Sequence, residues 1–221
     1  MQPLDKTEIF ATDYKQWQDN LVATGTSHPA YNSSAGKFYY DIVSNLIWAQ
    51  KGLCAYTEFK LQAFEKCGRT FWTKGTFTKF EFAGELDHYN PALKKEQGWL
   101  WDNFFLIDAD VNSKKVKGSK EPKGLLKPDN ENFDPTYFLE YDMANHIFIP
   151  NRIREFEAQR LIKHDIDTLG LNWQPTVERR EFYLNEKIND VRYGVITFEE
   201  AEANLYQFFT AFKLCKNYIS N

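Results

Sequence analysis

The stretch that most constrains the fold lies in the middle of the chain, where two strand-like runs are joined by a polar loop. The first run, 80–88, alternates apolar and polar residues, as a strand with one buried face does. Asn90 and Pro91 end it, since proline lacks the amide proton that a strand ladder needs. The second run, Phe104–Ile107, is apolar throughout, and 110–118 predicts a small lysine-rich helix. The expected order is therefore strand, loop, strand, helix.

Polar side chains fall at the ends of these elements. Asp87 and His88 close the first strand, and Asn103 precedes the second. Asn112 lies in the predicted helix. A hard divalent cation prefers oxygen ligands, such as the carboxylate of Asp87 and the amide carbonyl of Asn112. The imidazole of His88 is suited to taking a proton near neutral pH. These residue types point to metal-assisted hydrolysis of phosphodiester bonds.

Strand geometry limits how the carboxylate and the imidazole can meet. Adjacent strand residues point to opposite faces, so Asp87 and His88 are expected to share a site only where the strand bends. The Asn90-Pro91 pair favours such a bend. Asn103 is expected to brace the turn or to orient the imidazole. Glu85, on the same strand face as Asp87, is either a further carboxylate ligand or a solvated strand residue.

A run of lysines follows Asn112. Lys115 lies three residues beyond it, on the same face of the predicted helix, and is expected to hold a phosphate. Between residues 114 and 127 the lysines outnumber the acids, with Glu121 as the sole acid against Lys114, Lys115, Lys117, Lys120, Lys123 and Lys127. This composition predicts a phosphate-binding patch centred on Lys114, Lys115 and Lys117, with a plain solvated face as the alternative.

In their order along the chain, Asp87, His88, Asn103, Asn112 and Lys115 resemble the HNH, or ββα-metal, nucleases. That family carries Asp-His at the end of its first strand, an Asn in the linker or second strand, and His or Asn on the helix. The resemblance implies an α+β, mainly helical fold with a ββα-metal core embedded between N- and C-terminal helices. It also implies Mg²⁺ or Mn²⁺ on Asp87 and Asn112, with His88 as base and Asn103 as a catalytic residue holding the loop.

The resemblance covers most of the chain, from about residue 36 to about residue 190. Three segments, KFYYDI at 37–42, QKGLCAY at 50–56 and LGLN at 169–172, are similar to HNH subunits of Septu-type and retron-linked anti-phage systems. This implies the effector endonuclease of a defence complex with an ABC/SMC-like ATPase, and in retrons with a reverse transcriptase and its RNA/DNA. DNA is the first expected substrate and RNA, such as tRNA, the second. The alternative is a catalytically inactive HNH-like module that docks the ATPase.

The chain departs from the family at the structural zinc site. Many relatives carry two Cys-x-x-Cys pairs, which here read Cys-Ala-Tyr-Thr at 54–57 and Asp-Ala-Asp-Val at 108–111. One cysteine cannot make a four-ligand thiolate site, and Cys67 is isolated, so no structural zinc is expected. Glu58, next to the first segment, is interpreted either as a carboxylate behind the metal site or as a partner in a salt bridge.

Composition narrows the class of protein. Aromatic residues make up 17% of the chain, which favours a packed globular fold over disorder. The formal net charge of −4 argues against tight autonomous binding to nucleic acid. Three cysteines do not suggest a disulfide framework, and no apolar run reaches membrane-spanning length. A soluble, cytoplasmic protein without a membrane partner is expected.

Helical periodicity predicts the remaining elements. Helices are expected over 13–23 and 36–52 before the core, and over 153–170 and 175–194 after it. A last helix is expected from a capping box at 197–200 to residue 219. His28 is interpreted as a solvated loop histidine and His146 as a hydrogen-bonded structural one. The chain is thereby divided into an N-terminal helical region (1–53), a nuclease core (54–127) and a C-terminal helical region (128–221). The C-terminal region is expected to form one compact unit with the core.

Overall fold

A computed structural model describes residues 1–31, 34–78 and 83–219 of the 221-residue chain. The fold is α+β: short antiparallel strand pairs lie among helices, as the sequence predicts at this level. Within the described ranges, no helix is both long enough and apolar enough to cross a membrane.

The N-terminal part of the chain is helical. Helix α1 spans Thr12–Thr24, and a 3-10 turn over Ser34–Phe38 leads into α2, Tyr39–Ala49. All residues from 41 to 47 of α2 are buried, so the middle of this helix lies inside the protein. Gly52 follows it at φ 71°, where an added Cβ would lie 2.0 Å from the carbonyl oxygen of Gln62. Both helices predicted in this region are confirmed, the second with a 3-10 first turn.

The central stretch forms two hairpins. Strands β1 (Trp72–Thr73) and β2 (Thr76–Phe77) make the first. Strands β3 (Glu85–His88) and β4 (Phe104–Ile107) pair antiparallel, with Asp87 opposite Phe105 and His88 opposite Phe104. The expected strand, loop and strand are confirmed from residue 85 onward, while 80–82 of the first predicted run lie outside the described residues.

The helix after β4 is much shorter than predicted. Helix α3 spans Ala109–Asn112 and starts where the Asp108 side chain accepts a hydrogen bond from the amide of Asp110. It ends at Ser113, whose ψ of 155° is extended, and does not continue to Gly118. The helix ends early because the side chain of Lys117, a few residues later, is buried, and the chain must turn to bring it inside.

The β3–β4 hairpin lies between two apolar clusters. Leu86, Phe104 and Leu106 face the N-terminal cluster, which contains Tyr14 and most of α2. Phe105 and Ile107 face the C-terminal cluster, which contains the later helices. This explains why β4 is apolar throughout: both of its faces are covered.

The C-terminal part contains one strand pair, β5 (Leu139–Asp142) with β6 (Ile147–Pro150). Over the described residues it also contains five helices: α4 (Pro135–Phe138), α5 (Phe156–Thr168), α6 (Gln174–Arg192), α7 (Phe198–Ala203) and α8 (Phe209–Ile219). The capping box of Thr197 and Glu200 is confirmed. The prediction of a single last helix is wrong, because the helix is interrupted between Ala203 and Phe209, where Phe208 has a φ of 55°. The buried carboxylate of Glu58 accepts a hydrogen bond from the Thr210 amide and so fixes a new helix start.

Candidate functional site

Asp87 and His88 lie side by side at the end of β3 and face opposite sides of it. Asp87 is paired with Phe105 of the C-terminal cluster, and His88 with Phe104 of the N-terminal cluster. The strand stays regular through His88, and the next amide, that of Tyr89, still donates to Asn103 O at 2.8 Å. The bend that the Asn90-Pro91 pair was expected to favour does not reach Asp87 and His88, so the two side chains do not converge on one point.

The imidazole of His88 is held in one orientation. Its Nε2 lies 2.8 Å from the carbonyl oxygen of Gly98. A carbonyl oxygen can only accept, so Nε2 carries the proton and Nδ1 has the free lone pair. The rings of Tyr31 and Phe104 meet the imidazole edge to face, each with centroids 4.9 Å away. Burial lowers the pKa of His88 to about 4, so the ring is neutral at pH 7 and Nδ1 is unprotonated.

Asp87 is a buried carboxylate with two partners. Its Oδ2 accepts a hydrogen bond of 2.6 Å from the hydroxyl of Tyr56. The ammonium of Lys117 lies 3.7 Å from the same oxygen. Burial raises the pKa of Asp87 to about 6, and the nearby Lys117 charge opposes that rise. Asp87 is therefore mostly ionised at pH 7, as a metal ligand must be.

Lys117 is not placed to bind a phosphate from solvent, contrary to its sequence prediction. The residue is fully buried. Its ammonium donates to the carbonyl oxygens of His88, at 3.3 Å, and Lys120, at 3.1 Å, in addition to its contact with Asp87. These bonds explain how a lysine tolerates the interior, because a buried ammonium needs polar partners. Lys117 thus serves as an internal counter-charge for Asp87.

Two further oxygen-bearing side chains lie on the Asp87 face of β3. Glu85 and Asp87 are two positions apart in β3 and so point to the same face. Asn112 donates from Nδ2 to Oε2 of Glu85 at 2.9 Å. Two carboxylates and an amide carbonyl are donors that Mg²⁺ or Mn²⁺ accepts, so the donor types fit such an ion. Among the described residues, no three His, Cys, Asp or Glu side chains are grouped to hold a metal. Glu58 lies outside this set, because its carboxylate binds the Met1 amino group at 2.7 Å.

Asn103 clamps the turn that follows the strand. Its Oδ1 accepts from the amide of Asn90 at 2.8 Å, and its Nδ2 donates to the carbonyl of Asn90 at 3.0 Å. Both backbone groups of Asn90 are thus held by one side chain. Of the two expectations for Asn103, the structure favours bracing of the turn over direct contact with the imidazole.

The other two candidate lysines are exposed. Lys114 and Lys115 follow α3 on the surface, and neither has a resolved ion pair among the described residues. Because α3 ends at Asn112, Lys115 does not share a helix face with it as predicted. Both ammonium groups can still reach a phosphate that approaches the hairpin from solvent.

The segments 54–57 and 108–111 lie against each other. The amide of Asp108 donates to Sγ of Cys54 at 3.4 Å. Arg179 reaches across from α6 to Asp108, at 3.2 Å, and to Asp110, at 3.4 Å. A thiol contact therefore joins the two segments, and an ion pair connects the second of them to α6.

Sequence reasoning missed several residues around the site. Tyr56 and Tyr31 contact Asp87 and His88 from segments far away in the chain, and no local pattern marks them. Arg180 is buried and donates to the carbonyl oxygens of His146 and Leu171. The structural interpretation of His146 is confirmed, since its Nδ1 bonds the Tyr141 hydroxyl at 3.0 Å.

No protein-family model matches this chain, and no curated protein sequence matches it.

Proposed function

We propose that this protein is a metal-dependent HNH-type endonuclease that hydrolyses phosphodiester bonds of nucleic acid. The observation that carries the proposal is the hydrogen bond from His88 Nε2 to Gly98 O, which leaves Nδ1 of a neutral imidazole as a fixed proton acceptor. Its neighbour Asp87, together with Asn103 and Asn112, supplies the other parts that such chemistry needs, in the order in which the family carries them.

The opposite orientations of Asp87 and His88 are compatible with this chemistry. In an in-line displacement, the attacking water and the leaving oxygen lie on opposite sides of the phosphorus. The base belongs on the side of the water, and the metal ligands belong on the side of the leaving oxygen. A phosphate lying across the end of β3 would have His88 on one side and Asp87 on the other. The two side chains need not meet at one ion.

In the proposed reaction, Nδ1 of His88 accepts a proton from the attacking water. The water oxygen forms a bond to phosphorus while the bond from phosphorus to the 3′ oxygen breaks. The products are a 5′ phosphate and a 3′ oxygen that takes a proton from solvent water to become a hydroxyl. Asp87 and Asn112, with Glu85 beside them, would hold Mg²⁺ or Mn²⁺. A bound divalent cation stabilises negative charge on the phosphate and on the leaving oxygen. Asn103 keeps the turn after His88 rigid through the backbone of Asn90.

The proposed substrate is DNA, with RNA such as tRNA as the second candidate. Lys114 and Lys115 on the surface next to α3 would attract the phosphate backbone. The formal charge of −4 on the whole chain opposes tight binding by this subunit alone. This favours action within a complex, for which the resemblance suggests an ABC/SMC-like ATPase of an anti-phage system and, in a retron, the reverse transcriptase with its RNA/DNA.

Cleavage assays with matched histidine variants test the proposal. The protein is incubated with plasmid, single-stranded DNA and total tRNA, in Mg²⁺ or Mn²⁺ and in EDTA. We expect cleavage that needs the metal and that is lost in His88→Ala and in His88→Gln. Glutamine keeps a donor for Gly98 O but has no basic nitrogen. Loss of cleavage in His88→Gln would therefore come from loss of the base and not from loss of the fold. His164→Gln, a change at an exposed histidine, serves as the control.

Cleavage by His88→Gln at the wild-type rate would refute the assignment of the base. Circular dichroism of each variant shows whether a loss of activity comes from unfolding, since His88 packs between Tyr31 and Phe104.

The position of Lys117 favours a second candidate function. An ammonium already neutralises Asp87 from inside the protein, as a cation at that site would. An HNH-like module that has lost turnover and serves to dock an ATPase would keep such a pair. Calorimetric titration with Mn²⁺ separates the two functions: the nuclease binds Mn²⁺ in wild type and loses it in Asp87→Asn, whereas the docking module shows no binding that depends on Asp87.

A further inference from the structure

We infer that His28 is a positioning residue for His88 and acts through the peptide group that joins Gly98 to Trp99. This role rests on the proposed function of His88 as the base. It was not expected from the sequence, in which His28 is interpreted as a solvated loop histidine.

The two histidines bind opposite ends of one peptide group. The carbonyl of Gly98 accepts from His88 Nε2 at 2.8 Å, and the amide of Trp99 donates to His28 Nδ1 at 3.2 Å. A peptide group is planar and rigid, so fixing its N–H also fixes the direction of its C=O. Hydrogen bonds in such a chain also polarise one another, so the bond to His28 makes the Gly98 carbonyl a better acceptor.

Contacts other than the bond to His28 also restrict the movement of this peptide group. An added Cβ at Gly98 would lie 2.5 Å from the carbonyl oxygen of Lys94, so the chain passes that point too closely for a side chain. The carbonyl of Trp99 accepts from the Tyr14 hydroxyl at 2.7 Å. Tyr31 stacks on Trp99, with ring centroids 5.0 Å apart, and also contacts His88 edge to face. His28 thus completes a shell around the carbonyl that orients the base.

The chemistry of the bond defines what His28 must be. Nδ1 accepts from the Trp99 amide, so it must be unprotonated, and burial lowers the pKa of His28 in support of that state. Pro29 follows directly and disfavours a helical backbone at His28, which helps hold the residue extended against the loop. The contact joins positions 71 residues apart in the chain. It therefore links the N-terminal region to the loop between β3 and β4.

A matched pair of substitutions tests the role. In His28→Asn, the amide oxygen takes nearly the place of Nδ1 and still accepts a hydrogen bond. In His28→Leu, a methyl group takes that place and accepts none. We expect His28→Leu to lower kcat about fivefold, as loss of one hydrogen bond predicts, with KM changed less than twofold. His28→Asn is expected to keep kcat within about twofold of wild type.

NMR of the same variants gives a readout that does not need nuclease activity. In His28→Leu, the Trp99 amide proton should move upfield and the ring nitrogens of His88 should report a mixture of tautomers, while His28→Asn keeps the wild-type signals. Unchanged His88 ring signals in His28→Leu would overturn the inference. Equal losses of stability in both variants, with the tautomer intact, would also overturn it by making His28 a loop brace only. If wild type cleaves nothing, the NMR result still decides the role of His28.

Discussion

The ammonium nitrogen of Lys117 lies 3.7 Å from Oδ2 of Asp87, and both side chains are closed to solvent. Their attraction is weakly screened at such a position, and neither charge can turn to water if the other is removed. This pair joins the strand that carries the candidate site to the lysine-rich segment after α3.

Lys117→Met should destabilise the protein strongly. The substitution leaves the Asp87 carboxylate buried without its counter-charge, although the Tyr56 hydroxyl still bonds it, and breaking a buried ion pair from one side costs about 3 kcal/mol. Urea denaturation at pH 7.5 measures the change. Lys115→Met, at an exposed position, should stay within about 0.5 kcal/mol of wild type. A Lys117→Met protein as stable as wild type would mean that the pair contributes nothing.

Asp87 should make stability fall as the pH rises through its titration range. Burial raises its pKa to about 6 in the folded protein, above the ordinary value of 3.8. Between these values the folded state holds a proton that the unfolded chain has lost, so stability decreases with rising pH. In EDTA, the stability of wild type relative to Asp87→Asn should therefore drop by on the order of 2 kcal/mol from pH 4 to pH 6. A constant difference across that range would show that the carboxyl titrates normally.

Asn103→Leu should remove both hydrogen bonds to the Asn90 backbone and leave that amide and carbonyl without their partner. We expect a loss of about 2 kcal/mol in the free energy of unfolding, together with loss of cleavage, because the turn after His88 is freed. Asn130→Ala, at an exposed loop position, is the control for stability. Full cleavage by a folded Asn103→Leu protein would exclude the clamp from the function.

Arg179→Met should weaken the contact between α6 and the 108–111 segment, which itself lies against 54–57, only modestly. The arginine is partly exposed and bonds Asp108 and Asp110 at 3.2 and 3.4 Å, so solvent screens much of the attraction. A loss of up to about 1 kcal/mol is expected in thermal or urea unfolding. The same loss should be seen with and without a zinc chelator. Chelator-dependent unfolding of wild type would instead show that a metal joins these segments.

The local features of the sequence predicted the elements that depend on neighbours in the chain. The alternation before Asp87, the break at Asn90-Pro91 and the capping box of Thr197 all concern residues within a few positions of each other. Asn103 was recognised from its place before the second strand in the HNH-like order, and bracing of the turn was one of the two roles expected for it.

Contacts between distant segments account for what the sequence did not predict. Lys117 lies in a lysine run typical of a solvated face, but it is buried beside the carboxylate of Asp87, which is distant in the sequence. The break before α8 depends on Glu58, 152 residues from Thr210. The role of His28 likewise depends on a loop that lies far along the chain. No periodicity encodes such pairings, because they arise when the two apolar clusters pack on the hairpin.

Both faces of β4 are covered, Phe104 and Leu106 by the N-terminal cluster and Phe105 and Ile107 by the C-terminal one. Neither half of the molecule can come apart without stripping one side of this strand. We therefore expect the two halves to unfold in one cooperative transition, and β3, which carries Asp87 and His88, to unfold with its partner strand β4.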